Sequence, residues 1–148
     1  MADGLEKVVE KLQEASPGTN FEMILQFQPV TPHMVQIGRD NGGNVLGLDD
    51  RVTDEPAVMW MILLTSETAK DQEVLAPIYF AFREECEDYA REIDVDLNWQ
   101  VLNYANGNQD PIPTYGSEAV EFLMATSQKY DPEGMFQKLR QTGFHIPQ

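Results

Sequence analysis

The sequence has little cysteine and little positive charge, and each shortage excludes a class of protein. Cys86 is the single cysteine among 148 residues, so no disulfide can form within the chain and a reducing compartment is expected. Ten basic residues stand against 25 acidic ones, giving a net charge of −15. Nucleic acids and anionic membrane surfaces attract basic proteins, so neither is expected as a partner.

The sequence also lacks a long apolar run near its start. Residues 1–20 carry four acidic residues, which fits neither a signal peptide nor a membrane span. We therefore expect a soluble, cytoplasmic protein. The length suits one domain over residues 1–148, and the acidic residues are interpreted as the solvated outer faces of helices.

The most apolar stretch is residues 57–64, which read Ala-Val-Met-Trp-Met-Ile-Leu-Leu between Pro56 and Thr65. A run of this length that is apolar on both alternating faces predicts a central strand covered on two sides. A buried helix segment is the competing interpretation. Trp60 in this stretch could form an aromatic wall of a substrate site.

Residues 21–28 alternate between apolar and polar side chains, which predicts a second strand with one apolar face. Phe21, Met23, Leu25 and Phe27 form that face, and Glu22, Ile24, Gln26 and Gln28 form the other. Gln26 and Gln28 could be solvent-exposed, or they could line a pocket and orient a ligand.

Helical spacing predicts helices that start near residues 3, 73 and 117, with Ser117 as the cap of the last. Asp131-Pro132 is expected to begin a short fourth helix. Residues 45–48 and 97–104 are interpreted as extended. The predicted fold is α+β, with an antiparallel sheet of about three to five strands and the helices packed mainly on one face.

Few side chains suggest chemistry. His33 is one of two histidines, and its usual pKa suits proton transfer near neutral pH, although most single histidines are structural. No second histidine or carboxylate lies at metal-ligand spacing, so no metal is expected. Cys86 falls on the apolar stripe of the second helix, which indicates a core thiol.

A further indication comes from motifs in the last third of the chain. These are Leu-Asn-Tyr-Ala-Asn at 102–106, Gln-Asp at 109–110, Tyr-Gly at 115–116 and the closing pattern Lys-Tyr-Asp-Pro-Glu-Gly-Met-Phe-Gln at 129–137. With Gln28-Pro29 and the glycine-containing segment 42–48, they resemble the berberine bridge enzyme-like branch of the FAD-linked oxidases, in its fungal-type members. The resemblance spans about residues 5–147 and concerns the substrate domain.

The resemblance implies that Asn103 and Tyr104 would sit at the edge of a flavin. Full-length members carry an N-terminal FAD-binding domain, which this chain is expected to lack because it starts directly in the substrate domain. Cys86 cannot replace the cysteine through which that flavin is often attached. The strand that would correspond to the family's catalytic-base strand contains no acid, base or tyrosine.

Three functions follow as hypotheses. The first is a cofactor-free cyclase or isomerase of natural-product metabolism that acts by shape on an apolar substrate. His33 and Tyr104 would be catalytic, and Gln26, Gln28, Trp60 and Asn103 would bind the substrate. The alternatives are a FAD-linked oxidoreductase part that needs a separate flavin domain, and a non-catalytic small-molecule-binding remnant.

A homodimer is also expected. Without the flavin domain, one apolar face of the strand at 57–64 would be exposed to water, and a second copy would be the simplest cover. The alternation leaves two candidates for that face. One bears Val58, Trp60, Ile62 and Leu64, and the other bears Ala57, Met59, Met61 and Leu63.

Overall fold

A computed structural model describes residues 2–147, which form helices, two strands and two short 3-10 turns. In chain order these are α1 (Ala2–Ala15), β1 (Phe21–Val30), α2 (Pro32–Asp40), β2 (Ala57–Ser66), α3 (Ala69–Glu92), the 3-10 turns Leu102–Tyr104 and Ile112–Tyr115, α4 (Ser117–Tyr130) and α5 (Met135–Leu139). About 49% of the chain is helical and 14% is strand, and the two strands are antiparallel. The predicted α+β class is confirmed.

The chain divides into two compact units. The first contains residues 2–28 and 58–96, and the second contains residues 29–57 and 97–147. Each unit is built around its own buried side chains. The expectation of one domain over residues 1–148 stays a prediction.

The first unit packs α1 and α3 on one face of the β1–β2 sheet. Val8 of α1, Ile62 of β2, and Phe82 and Cys86 of α3 are buried together. Met23, Leu25, Trp60 and other apolar side chains pack around this cluster. Gly4 brings α1 close to α3, since a Cβ there would lie 2.9 Å from the Phe82 ring.

The strand predicted at 57–64 is present as β2, but it is not central. The part of the chain that the structure describes contains two strands, so the prediction of three to five is wrong. Both strands are edges. Only Ile62 of β2 is buried, whereas Val58 is 59% exposed, so β2 is not covered on two sides.

The extended segments predicted at 45–48 and 97–104 are not strands. Their backbone groups form hydrogen bonds with side chains instead of with a neighbouring strand. The Trp99 indole N–H donates to the Leu46 carbonyl at 2.7 Å, and the Gln100 amide donates to the Thr114 hydroxyl at 3.1 Å. Hydrophobic alternation cannot distinguish these loops from strands, because burial on one side produces the same pattern.

The starts of three helices differ from the predictions, and capping residues account for part of the difference. α3 begins at Ala69, earlier than expected, because the Thr68 hydroxyl caps it by accepting the Asp71 amide at 3.1 Å. α4 is preceded by Gly116, with φ of 100°, so Ser117 is the first helical residue and not the cap. α5 begins at Met135 and not at Asp131-Pro132.

Candidate functional site

Gln26 and Gln28 lie on the face of the sheet opposite α1 and α3. Met23 and Leu25 of β1 pack on the core, and alternation turns the two glutamines the other way. Both are partly buried. Among residues 2–147 neither side-chain amide has a hydrogen-bond partner, so both keep their donors and acceptors for a ligand or water.

Trp60 does not join the glutamines. It packs around the helix-side core with Ile62, two residues further along β2. Side chains two residues apart on a strand share a face, so Trp60 lies on the opposite side of the sheet from Gln26 and Gln28. The role of Trp60 as an aromatic wall of a substrate site stays a prediction.

The face that carries the glutamines is completed by the other alternating set of β2. We call it the open sheet face, defined by Gln26, Gln28, Met59, Met61 and Leu63. Leu63 is 38% exposed and the two methionines are partly buried. β2 carries no charged residue along its ten positions. An apolar surface with a few polar groups that fix orientation is the usual chemistry of a small-molecule site.

His33 is the second residue of α2, in the second unit. The helix begins at Pro32 and is capped by the Thr31 hydroxyl, which accepts the Met34 amide at 3.3 Å. The His33 side chain is exposed and makes no hydrogen bond to the residues from 2 to 147. No carboxylate in that range orients the ring, as general-base catalysis usually requires.

Asn103 and Tyr104 are brought together in one 3-10 turn of the second unit. The Tyr115 hydroxyl holds the turn in place by accepting a hydrogen bond from the Leu102 backbone amide at 3.0 Å. Both side chains face solvent, and Tyr104 is 49% exposed. The turn can therefore present an amide and a phenol to a ligand.

Sequence reasoning missed the hydrogen bonds of Arg51 around Thr114, the residue next to the Tyr115 that holds this turn. The Arg51 guanidinium donates to the carbonyl of Gly47 and, at 2.8 Å, to that of Thr114. The Gln100 side-chain oxygen is buried without a hydrogen-bond partner in the described part of the chain. A single tryptophan or arginine in a loop gives no periodic signal, so only the spatial arrangement identifies these residues.

The closing motif at 129–137 has a structural role in this fold. The Asp131 carboxylate accepts the amides of Met135 and Phe136, each at 2.8 Å, and so caps α5. The Gln137 side-chain oxygen accepts the Ile146 amide at 3.3 Å. These bonds give Asp131 and Gln137 of the motif a structural role.

Two groups with altered pKa values lie in the core of the first unit. Burial raises the pKa of the Cys86 thiol, which is 4% exposed, so the thiol stays protonated near neutral pH. The prediction of a core thiol is confirmed. Burial also raises the pKa of Tyr79, whose hydroxyl donates to the Ile62 carbonyl at 3.0 Å.

Residues 2–147 contain neither a candidate metal-binding cluster nor a candidate membrane span. No three histidine, cysteine or acidic side chains in that range are grouped so that they could hold a metal ion. None of the helices described there has the length and apolar character needed to cross a membrane.

The chain is similar to part of several fungal enzymes. It is 33% identical to the FAD-dependent monooxygenase drtC of Aspergillus calidoustus over 144 residues, which is 95% of this chain and 26% of that protein. It is 34% identical over 129 residues to the FAD-dependent monooxygenase sdcF of Emericella nidulans, covering 87% of this chain and 26% of the relative. It is 28% identical over 140 residues to the bifunctional solanapyrone synthase of Alternaria solani, again covering 26% of the relative.

The chain thus spans about a quarter of the length of these relatives. No protein-family model matches it, and no solved structure matches it. Similarity to a part of FAD-linked oxidoreductases, as expected from the motifs, is supported.

Proposed function

We propose that this chain binds an apolar natural-product intermediate on the open sheet face and promotes its cyclisation or isomerisation without a cofactor. The observation that carries the proposal is the chemistry of that face. Met59, Met61 and Leu63 supply apolar contact, and Gln26 and Gln28 supply amides that have no partner within residues 2–147. Such a surface holds a substrate in one conformation and polarises a carbonyl through the amide N–H groups.

Reactions that leave the mass of the substrate unchanged, such as cyclisation and isomerisation, suit this face. A ring closure or double-bond shift in a preorganised substrate needs orientation and hydrogen bonding more than an acid–base pair. The polar side chains that define the open sheet face are two glutamines, which do not titrate. The activity should therefore change little with pH across the neutral range. The product should have the same mass as the substrate, whereas oxidation adds an oxygen atom or removes two hydrogens.

The second candidate is one part of a FAD-linked oxidoreductase of the berberine bridge enzyme-like branch. It is favoured by the relatives, of which several are named FAD-dependent monooxygenases. The exposed turn with Asn103 and Tyr104 can reach the polar edge of a flavin ring. The nearby Arg51 already donates to two carbonyls, and no lysine or arginine occurs between Arg91 and Lys129, so in this candidate the separate flavin domain would hold the FAD pyrophosphate.

Binding to the open sheet face can be tested with Nile red, a neutral apolar fluorophore. The fluorescence should rise on addition of the protein. Met61→Lys should weaken binding at least tenfold, because a charge enters the apolar face. Gln72→Leu, a change at an exposed position of α3, is the control and should leave the affinity unchanged. Equal Nile red affinity in the native protein and Met61→Lys would overturn the site.

The cofactor assignment needs a separate measurement. The protein should be colourless and should stay so after incubation with FAD and desalting. Flavin absorption that survives desalting in stoichiometric amount would contradict the cofactor-free proposal and favour the oxidoreductase part. A protein that binds the apolar probe but transforms nothing would be the non-catalytic binding remnant.

The proposed homodimer would bury the same face. Of the two candidate faces on β2, the one with Trp60 and Ile62 lies against the helices, which leaves the one with Met59, Met61 and Leu63. A second copy over this face would enclose a substrate between two sheets. Sedimentation at high salt, which screens contacts between exposed charges, should give the mass of two chains for the native protein and of one chain for Met61→Lys. A native protein with the mass of one chain would contradict this dimer.

A further inference from the structure

α3 is longer than the elements that cover it. It has 24 residues against 14 in α1, or roughly 36 Å against roughly 21 Å at about 1.5 Å per residue. Its buried side chains are Leu75, Phe82 and Cys86. The same stripe continues at helical spacing to Tyr89 and Ile93, but these are 54% and 48% exposed. The apolar stripe therefore runs past the core into solvent.

Negative charge flanks this exposed end. Glu85 lies one turn before Tyr89, and Glu92 lies one turn after it, so both acidic residues neighbour Tyr89 on the helix surface. The ion pairs found along this part of α3 use Asp88 and Glu87, and within residues 2–147 neither Glu85 nor Glu92 has a basic partner. We call this surface the α3 overhang, defined by Glu85, Tyr89, Glu92 and Ile93.

A surface of the opposite charge occurs on α5 in the second unit. Phe136 and Leu139 are three residues apart on one helix face and are 78% and 71% exposed. Lys138 and Arg140 are the sequence neighbours of Leu139 on either side, and they donate only to backbone carbonyls, of Glu133 at 2.6 Å and Thr142 at 2.8 Å. Their positive charges are therefore not neutralised by a carboxylate in the described residues. We call this surface the α5 patch, defined by Phe136, Lys138, Leu139 and Arg140.

The α5 patch is held in shape before any partner arrives. The Asp131 carboxylate accepts two amides of the first turn, and this cap fixes a helix that is too short to be stable alone. The whole chain has a net charge of −15, whereas residues 129–147 contain three basic and two acidic residues and so have a small positive net charge.

We propose that the α5 patch of one copy binds the α3 overhang of a second copy. The contact buries Phe136 and Leu139 against Tyr89 and Ile93, which removes apolar surface from water on both sides. Lys138 and Arg140 then face Glu85 and Glu92, which selects this pairing over the many acid–acid contacts that two such chains would otherwise make. The contact joins different surfaces of the two copies, so it is head-to-tail.

Charge reversal tests the pairing directly. All variants carry Met61→Lys, so that the open sheet face cannot contribute, and all retain full length. One variant adds Glu85→Lys and Glu92→Lys, a second adds Lys138→Glu and Arg140→Glu, and a third carries all four reversals. Circular dichroism verifies folding, and the weight-average mass is measured by sedimentation at micromolar concentration and low salt.

The Met61→Lys background should associate, and high salt should weaken the association about tenfold or more. Each two-site reversal should sediment as single chains, because like charges then meet. The variant with all four reversals should associate again, and so should an equimolar mixture of the two-site variants. Single chains in the background, or in both the mixture and the fourfold variant, would overturn the proposal. Since Nile red binding is measured on another surface, this failure would leave the proposed function untouched.

Discussion

The two units of this protein are held together in different ways. The first unit has a continuous apolar core in which α1, α3 and β2 each contribute buried side chains at their regular spacing. In the second unit, the loops around Arg51, Trp99 and Thr114 are held by bonds from side chains to backbone groups. Stability in the first unit therefore depends mainly on apolar contact area, whereas the loops of the second unit depend on individual polar partners in addition to buried side chains such as Val52 and Ile112.

The largest expected effect is in the second unit. A Cβ at Gly47 would lie 1.8 Å from the Tyr115 carbonyl oxygen, and Gly47 has φ of +65°. Because backbone must move, Gly47→Ala should lower the free energy of unfolding by more than about 4 kcal/mol. Gly43→Ala is the matched control, with φ of +78° and open space, and should cost about 1 kcal/mol. Similar urea midpoints for the two variants would contradict the close approach.

The next effect tests the core of the first unit. Leu75 is fully buried, so Leu75→Ala should lower the free energy of unfolding by about 2–5 kcal/mol through lost contacts and a cavity. Leu139→Ala makes the same chemical change at a 71% exposed position and should stay within about 0.5 kcal/mol of the native protein in dilute solution. Urea unfolding followed by circular dichroism measures both. Equal costs would mean that Leu75 is not a core residue.

Each unit contains one tryptophan, so replacing each by phenylalanine compares the stability cost of a lost polar bond with that of lost apolar packing. Trp99→Phe removes the indole N–H that donates to the Leu46 carbonyl at 2.7 Å, and it should cost about 1–3 kcal/mol. Trp60 contributes apolar packing and has no hydrogen bond from its indole within residues 2–147, so Trp60→Phe should cost less than about 1.5 kcal/mol. The reverse order of costs, measured by urea unfolding, would contradict the view that polar bonds organise the second unit.

The smallest expected effect concerns the cap of α3. Hydrogen bonds from the Thr68 and Thr19 hydroxyls, at 2.5 Å and 3.0 Å, lower the pKa of Asp71 below its usual value. A lowered pKa in the folded state stabilises the fold above the ordinary carboxyl pKa, and the stabilisation is lost as the pH falls through the folded value. Asp71→Asn should therefore destabilise the protein near neutral pH and progressively less in acid. Thermal melts across the pH range measure this difference.

The control for the cap is Glu73→Gln, a similar loss of charge two residues further along α3 at an exposed position without a hydrogen bond to residues 2–147. Its stability relative to the native protein should vary little between acid and neutral pH. If Asp71→Asn gives the same flat profile, the threonine bonds do not stabilise the cap.

Much of the first unit could be predicted from the sequence. The alternation at 21–28 and the apolar run at 57–64 identified both strands, and the stripe from Leu75 to Ile93 identified α3. These signals are periodic, and burial of one face enforces the period. The number of strands was overestimated, because segments at 45–48 and 97–104 are apolar enough to resemble strands but are held by turns and side-chain bonds.

The candidate site was predictable only in part. The shared face of Gln26 and Gln28 follows from strand alternation alone, and so does the adjacency of Asn103 and Tyr104 from their neighbouring positions. The position of Trp60 opposite the glutamines depended on how β1 and β2 pair. The catalytic roles of His33 and Tyr104 and the binding roles of Gln26, Gln28, Trp60 and Asn103 remain predictions.

The sequence by itself determined the α+β class, the positions of the main helices and both strands, and the acidic character of the surface, because these depend on residue type and local spacing. Only the tertiary structure decided which face of the sheet is open, where the stripe of α3 leaves the core, and that Gly47 lies against Tyr115. The physical reason is that contacts between distant segments depend on how elements pack, and local periodicity does not encode that packing.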